Sequence, residues 1–315
     1  MGLTPTATAD PPDRALGAHP PLPLPGARRL TAPRALAAAL LALAAGAIAV
    51  SALPVERLLA VRSALFNHHV ALADFRGRAR LPPDGWIGQE TPEARAVARR
   101  ALLARLPAAE AWLDAPGGSA ADEAAALLAR LPSTPMVCSR SRDLIDKAVG
   151  LLGGATTGCC SDFVEVFQLL ASLRGLPTRE IANQKHNYLE YWDAGHARWN
   201  LVDPTFGLVA LGPSGAPVGA LDVALGPDPT AITWRPVAAR TPVSPQAASY
   251  SSPEAFRTLV VTERSDVVAQ DAFDRRVRFL PKPVAQLIEL TLGVRPRWTE
   301  VHLDAAASSA GPTRP

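Results

Sequence analysis

The sequence predicts an α+β fold in which a cysteine-bearing helix packs on an antiparallel sheet. The first observation behind this prediction is an apolar stripe at helical spacing that begins shortly after Cys160. The stripe consists of Phe163, Val166, Phe167, Leu169, Leu170 and Leu173. Gly175 and Pro177 are expected to end this helix. The second observation is a run of three strand-like segments after the helix, two of which are joined by a hairpin turn signal.

The predicted strands determine which polar side chains meet. The hairpin turn signal is Asp193-Ala194-Gly195-His196. Antiparallel neighbours bring the start of one strand beside the end of the next, so we expect His186 to lie near Asp203. The strands are predicted over residues 178–184, 186–192 and 197–202.

Several helices are predicted before this segment. Thr91 is a good helix N-cap, and Pro92 fits the first helical position. Gly153 and Gly154 are a helix stop. The predicted helices cover residues 56–76, 92–106, 119–131 and 143–152. The histidine pair His68-His69 lies in the first of them, and because neighbours point to different helix faces we do not expect a metal site there.

The charge balance argues against nucleic-acid binding. The 315-residue chain has 32 Lys and Arg against 29 Asp and Glu, a net charge of +3. No dense basic run with interleaved aromatic residues is present. The length is compatible with one or two domains.

The N-terminal region contains a long uncharged segment. Residues 35–55 carry no charged side chain, and about 20 such residues suffice to cross a bilayer. Arg28, Arg29 and Arg34 precede the segment and favour a cytoplasmic N-terminus. A signal anchor is the favoured interpretation. A cleaved export signal ending near Val50-Ser51-Ala52 and an alanine-rich helix of a soluble protein are the alternatives.

The chain has three cysteines, which is too few for a disulfide framework. None of their spacings is typical of a zinc site. If the domain is exported, Cys159 is able to pair with Cys138 and leave Cys160 free, and a loop of that size would contribute roughly 3 kcal/mol. Three free thiols in the oxidised protein would contradict this hypothesis.

Cys160 stands at the N-terminus of the predicted helix. Free backbone N–H groups and the helix dipole at this end favour a thiolate, which is the nucleophilic form of cysteine. A carboxylate beside an imidazole fixes the tautomer and stabilises the imidazolium. The types and order of Cys160, His186 and Asp203 therefore fit a nucleophile, a base and an orienting acid.

Four motifs in this order resemble the transglutaminase-like superfamily. They are Gly158-Cys159-Cys160-Ser161-Asp162-Phe163, Gly175-Leu176-Pro177-Thr178-Arg179, His186 with Glu190 four residues on, and Val202-Asp203-Pro204-Thr205. The resemblance covers about residues 136–225. It implies a papain-like core and thiol acyl chemistry on amides, which includes peptide or isopeptide cleavage, deamidation and transamidation.

The resemblance places Cys160 on the family's nucleophile, His186 on its base and Asp203 on its orienting acid. The chain departs from the family at Tyr188, where tryptophan is frequent, and in the short connection from Cys160 to His186. We expect hydrolysis of a peptide or protein amide, with no metal and no cofactor. Protein cross-linking by transamidation is one alternative, and a non-catalytic module that binds a peptide or glycan in the same cleft is the other.

The remaining predictions concern residues around this core. Asp162 is expected to support the helix N-terminus. Glu190 is expected either to orient the site or to face solvent, and His196 to be exposed. Trp192 and Trp199 are expected to pack in the sheet.

The predicted organisation has six parts along the chain. The C-terminal extension is expected to pack on the core, with a surface excursion over 208–253, a helix from Ser252 to Leu259 and a short helix over 283–292. The catalytic domain is expected outside the cytoplasm, anchored by the membrane segment. The parts are a disordered tail (1–34), a transmembrane signal anchor (35–55), a helical region (56–135), the transglutaminase-like core (136–225), the extension (226–304) and a disordered tail (305–315).

Overall fold

A computed structural model describes most of the chain between residues 67 and 302. The chain divides into two units, Met1–Ala52 and Leu53–Pro315. In the first unit the described residues 37, 41–42 and 45–46 are helical. The second unit is described over 67–70, 72–83, 88–132, 143–154, 158–183, 185–225, 231–237, 258–262, 265–277 and 298–302, with single residues or pairs at 250, 252, 255–256, 279–280 and 288.

The second unit is an α+β structure, as predicted. Its helices are α1 (Leu72–Ala79), α2 (Pro92–Arg105), α3 (Glu110–Leu113), α4 (Ala120–Arg130), α5 (Leu144–Leu152), α6 (Cys160–Leu173), α7 (Ala220–Leu225) and α8 (Val267–Val277). Its strands are β1 (Asn67–His69), β2 (Thr178–Ala182), β3 (Asn187–Asp193), β4 (Arg198–Asp203), β5 (Leu208–Leu211), β6 (Thr233–Pro236), β7 (Thr258–Thr262) and β8 (Trp298–His302).

The described strands form one sheet in the order β1-β8-β7-β2-β3-β4-β5-β6. All neighbours are antiparallel except β1 and β8, which are parallel. Residues 187 and 182 face each other across β2 and β3, and Leu189 faces Val202 across β3 and β4. This register brings the start of β3 beside the end of β4, where the site lies.

The sheet has an apolar core on each face. Leu189 packs with the helices on one face, while its neighbour Tyr188 packs on the other, as strand alternation requires. The helix-side core includes Leu128, Leu151, Phe167, Leu170 and Val202. The core on the opposite face includes Ile181, Leu201, Phe256, Val261 and Val301.

The predicted helices at 92–106, 119–131 and 143–152 are confirmed with their caps. Thr91 Oγ1 accepts a hydrogen bond of 3.1 Å from the backbone N–H of Ala94. Ser119 forms a capping box with Asp122. Asp143 Oδ1 accepts bonds of 3.0 Å from two N–H groups of the first turn of α5.

Three local predictions were wrong. The helix predicted over 56–76 is not continuous, because residues 67–69 are strand β1 and a helix covers Leu72–Ala79; residues 56–66 lie outside the described part. The helix predicted from Ser252 to Leu259 fails because Thr258–Thr262 is strand β7, paired with β2 and β8. The predicted surface excursion begins with a fully buried strand, β5, whose side chains are apolar.

The C-terminal extension does more than pack on the core, since β7 and β8 are strands of the same sheet as β2. The predicted helix over 283–292 is described only at residue 288, which is helical. The tails predicted over 1–34 and 305–315 lie outside the described residues.

Within the described residues, no helix is long and apolar enough to cross a bilayer. Most of the predicted anchor over 35–55 lies outside the described part. Its membrane role stays a prediction.

Candidate active site

The N-terminus of α6 presents Cys160. Cys159 is the N-cap residue, and Cys160 is the first residue of the helix. Gly158 leads into this turn where there is no room for a side chain: an added Cβ would lie 2.9 Å from both Leu151 Cδ2 and Phe163 Cε2. The helix start is therefore held tightly against α5 and against its own first turn.

Asp162 supports this helix end, as predicted. Its Oδ2 accepts a 3.1 Å hydrogen bond from the backbone N–H of Cys159. Its Oδ1 lies 3.2 Å from Lys147 Nζ, which also contacts Glu165 Oε2 at 2.5 Å. The side chain of Asp162 is nearly buried, so this ion pair ties α5 to the first turn of α6 in a place with little water.

The predicted proximity of His186 and Asp203 is confirmed. His186 Nε2 lies 3.0 Å from Asp203 Oδ2, and both side chains are 0% exposed. His186 immediately precedes β3, and Asp203 is the last residue of β4. The antiparallel register therefore creates the pair, as the sequence pattern predicts.

Both carboxylate oxygens of Asp203 are used. Oδ1 accepts hydrogen bonds from the backbone N–H groups of Thr205 at 2.9 Å and Phe206 at 3.2 Å. Oδ2 is then left to face the imidazole. The turn after β4 holds the carboxylate in one orientation, which fixes the ring nitrogen that it contacts.

The Cys160 thiol has a lowered pKa. Burial acts against this by raising the pKa, but a hydrogen bond and the charge of His186 outweigh it, with help from the backbone N–H groups of Asn187 and Ser161. Cys160 is free and half-buried. These surroundings favour the thiolate form of the cysteine.

The pKa of His186 is raised to about 9. Burial lowers it, but the charge of Asp203 and the hydrogen bond to it raise it by more, and Cys160 adds to the increase. Nδ1 is buried and has no well-aligned hydrogen-bond partner among the described residues. Cys160 therefore influences the imidazole without the geometry of a well-aligned hydrogen bond.

Cys159 is disulfide-bonded, in contrast to its free neighbour Cys160. This agrees with the hypothesis that the first of the two vicinal cysteines is structural. Cys138, the partner named in that hypothesis, lies outside the described residues. Of the two neighbouring cysteines, Cys160 is therefore the one with a free thiol.

Glu190 neither faces solvent nor touches the imidazole. It is 1% exposed, and Arg179 Nε donates to its Oε2 at 2.6 Å. Its Oε1 accepts a 2.6 Å bond from the backbone N–H of Ala220. Glu190 thus belongs to a buried ion pair behind the site, and the alternative that it faces solvent is wrong.

The other predicted surroundings are as follows. Trp192 and Trp199 pack against each other with ring centroids 5.4 Å apart, as expected. His196 is exposed at the hairpin tip, where its Nδ1 lies 2.7 Å from Asp193 Oδ2. The residues of the pair His68-His69 lie in β1 and not in a helix.

Two residues of the site were missed by sequence reasoning. Tyr250 stacks on the His186 ring, with centroids 5.0 Å apart and planes 12° apart. Asn183 Oδ1 accepts a 2.8 Å hydrogen bond from the backbone N–H of His186. The only signals available were an isolated aromatic residue in a run rich in small residues and an asparagine in the β2–β3 turn.

Comparisons of the chain with protein-family models, with curated proteins and with solved structures gave no match. The resemblance to the transglutaminase-like superfamily therefore rests on the four motifs alone. What the geometry adds is independent of any family: a helix-terminal cysteine beside a buried imidazole that is held by a buried carboxylate.

Proposed function

We propose that the chain is a transglutaminase-like cysteine enzyme that hydrolyses amide bonds of peptides or proteins through a thioester. The observation that supports this most strongly is the buried His186–Asp203 pair of 3.0 Å beside the Cys160 thiol with its lowered pKa. A purely structural cysteine has no need of a buried, oriented histidine. The three residues have complementary chemical roles in acyl transfer.

The proposed reaction has two halves. His186 takes the thiol proton, and the Cys160 sulfur attacks the amide carbon to form a tetrahedral oxyanion. The backbone N–H of Cys160, at the first position of α6, is one donor available to that oxyanion. The C–N bond breaks, and the amine or ammonia leaves with a proton from His186. Water, deprotonated by His186, then cleaves the thioester to a carboxylic acid and the free thiol.

Asp203 supports the proton transfers. It accepts from His186 Nε2 and so directs the other ring nitrogen, Nδ1, to the reacting atoms. Its charge stabilises the imidazolium that forms in each half of the reaction. The 0% exposure of both side chains excludes water, which strengthens this interaction.

Alkylation of Cys160 tests the proposal without a known substrate. An ordinary thiol is below about 1% thiolate at pH 6, whereas a thiol paired with an imidazolium is largely ionised. We expect iodoacetamide to label Cys160 of the full chain rapidly at pH 6, and His186→Ala to slow this by roughly tenfold or more. The thiolate–imidazolium pair exists only at pH values between the pKa of Cys160 and the pKa of His186. The effect of His186 should therefore persist up to about pH 9. Peptide mapping identifies the labelled cysteine.

His196→Ala is the matched control, because His196 is exposed and its carboxylate partner lies at the hairpin tip. It should label like the wild type. If Cys160 labels no faster than an ordinary exposed thiol in the wild type, the cysteine is not activated, and the peptide- or glycan-binding module is the better proposal. For an activated cysteine, incorporation of a fluorescent amine into a glutamine peptide, in place of hydrolysis, would favour transamidation.

We also propose that residues 35–55 anchor the chain in a membrane with the catalytic unit outside the cytoplasm. The uncharged segment supports the anchor, and the disulfide at Cys159 supports an oxidising compartment. In cells that express the full chain, we expect it in the membrane fraction and degraded by protease added to spheroplasts, in which the outer side of the cytoplasmic membrane is accessible. A chain recovered in the soluble cytoplasmic fraction would contradict the proposal.

A further inference from the structure

The His186 ring is enclosed by three aromatic side chains. Tyr250 stacks on one face with its plane only 12° from that of the imidazole. Tyr188 meets the ring edge-on at 4.7 Å and 83°, and Phe206 lies 5.5 Å away with a tilt of 33°. Tyr188 lies in β3 and Phe206 in the turn after β4, whereas Tyr250 comes from the C-terminal extension.

The position of Tyr250 is fixed through its backbone. Its carbonyl oxygen accepts hydrogen bonds from Tyr188 Oη at 2.7 Å and from Asn183 Nδ2 at 3.0 Å. The other end of the Asn183 amide accepts from the backbone N–H groups of Lys185 and His186, at 2.9 and 2.8 Å. Asn183 therefore links the backbone of His186 to the backbone of Tyr250 and holds the two residues side by side.

From this arrangement we infer that Tyr250 is a positioning residue that holds the His186 imidazole in the plane where it faces both Asp203 and Cys160. This inference rests on the proposed function. The bond to Asp203 restrains the ring at Nε2 only, so the ring is able to tilt about that bond unless a flat surface lies against it. Tyr250 supplies that surface.

The hydroxyl of Tyr188 has a role in the same arrangement. Tyr188 stands two residues after the histidine, and its hydroxyl donates to the Tyr250 carbonyl rather than to the reacting groups. Tyr188→Phe removes one of the two hydrogen bonds that hold Tyr250 and leaves the buried ring in place. This gives a variant with a small structural change, which loses the hydrogen bond to Tyr250 while the Tyr188 ring stays against the imidazole.

The pH profile of Cys160 alkylation measures the proposed role. The titratable groups that contact or influence the imidazole are Asp203, Cys160, Tyr188 and Tyr250. In Tyr250→Ala the His186 ring is free to tilt, so the imidazolium stabilises the Cys160 thiolate less. The midpoint of the labelling profile should therefore move to higher pH. We expect labelling of the full chain at pH 6 to fall by about two- to tenfold, the range of a single aromatic pair. Tyr250→Phe keeps the flat ring and should retain the wild-type profile.

Tyr188→Phe should move the midpoint in the same direction by less than Tyr250→Ala does. Tyr191→Phe is its control, because Tyr191 is buried on the other face of β3 in the helix-side core. Tyr191→Phe should leave the profile unchanged. Urea unfolding of each variant separates a loss of folded protein from a change in the reactivity of the thiol. If Tyr250→Ala does not fold, the labelling profile of Tyr188→Phe tests the inference instead.

The outcomes separate this inference from the proposed function. A midpoint that shifts in Tyr250→Ala and is restored in Tyr250→Phe supports the inference. The inference is overturned if the wild-type midpoint depends on His186 but does not change in Tyr250→Ala, or in Tyr188→Phe if Tyr250→Ala does not fold. The proposed function would then still stand. A wild-type midpoint like that of an ordinary thiol, insensitive to His186→Ala, overturns both.

Discussion

Replacing Asp203 with alanine is expected to lower the turnover of an amide substrate by roughly 10⁴-fold, the effect of disabling the carboxylate in an acid–base triad. The carboxylate accepts from His186 Nε2 and from the backbone N–H groups of Thr205 and Phe206. Without it the imidazole loses its orienting partner, and its pKa falls because the strongest influence that raises it is gone. The pH up to which His186 accelerates Cys160 labelling should therefore move down from about 9.

Asp203→Asn is expected to be nearly as damaging, for a geometric reason. The carboxylate uses one oxygen for the two backbone amides and the other for the imidazole. A carboxamide has only one acceptor oxygen, so one of these sets of donors must face an NH₂ group. Steady-state hydrolysis of a peptide amide found by screening, with Cys160 labelling across pH, measures both variants.

Asp193→Asn provides the matched control for these variants. Asp193 also pairs with a histidine, His196, at 2.7 Å, but this pair lies at the hairpin tip with the imidazole exposed. The variant should label and turn over like the wild type. Wild-type turnover and labelling in Asp203→Ala would show that the buried carboxylate does not orient His186, and the proposed triad would be wrong.

The site could be predicted from sequence because its signals are local. The helix that presents Cys160 is marked by an apolar stripe and by Gly175, whose φ of +72° ends it. The His186–Asp203 pair follows from one hairpin whose turn is apparent in the sequence. In such a hairpin the register sets which residues meet, so no information from distant parts of the chain is needed.

The parts that were not predicted depend on distant partners. Thr258–Thr262 follows a serine–proline–glutamate signal that is typical of a helix start, but it pairs with β2, which lies far earlier in the chain. Tertiary pairing overrides local preference there. Tyr250 reaches His186 for the same reason, since nothing in its neighbouring sequence indicates the ring that it covers.

The buried ion pair of Arg179 and Glu190 leads to the second large expected effect. Arg179 and Glu190 are 2% and 1% exposed, and the Arg179 guanidinium also lies 4.3 Å from the centre of the Trp199 ring. Glu190 additionally accepts from the backbone N–H of Ala220 in α7. Gly219 has no space for a side chain, because an added Cβ would lie 2.9 Å from Glu190 Oε1 and 3.0 Å from the Trp199 carbonyl oxygen. The pair therefore joins β2, β3, β4 and α7 behind the hairpin that carries His186.

Glu190→Ala is expected to reduce the free energy of unfolding by roughly 3–5 kcal/mol, the cost of leaving one member of a buried ion pair without its partner. The variant leaves the Arg179 charge without its carboxylate in a place without water, and the Ala220 N–H loses its acceptor. Urea unfolding of the full chain, followed by tryptophan fluorescence, measures the loss. Trp199 lies beside the pair, so its emission reports on this region.

The double replacement Arg179→Met with Glu190→Leu should recover most of the lost stability, since apolar side chains of similar volume avoid the burial of an unpaired charge.

Asp114→Ala is the control for the loss of an ordinary ion pair. Arg99 Nη2 bonds to Asp114 at 2.7 Å, but Asp114 is 58% exposed, so that loss should be about 0–1 kcal/mol. A loss in Glu190→Ala no larger than that in Asp114→Ala would mean that the buried pair contributes nothing beyond a surface pair. In that case Gly219 and the apolar contacts of β3 would be what hold α7 against the sheet.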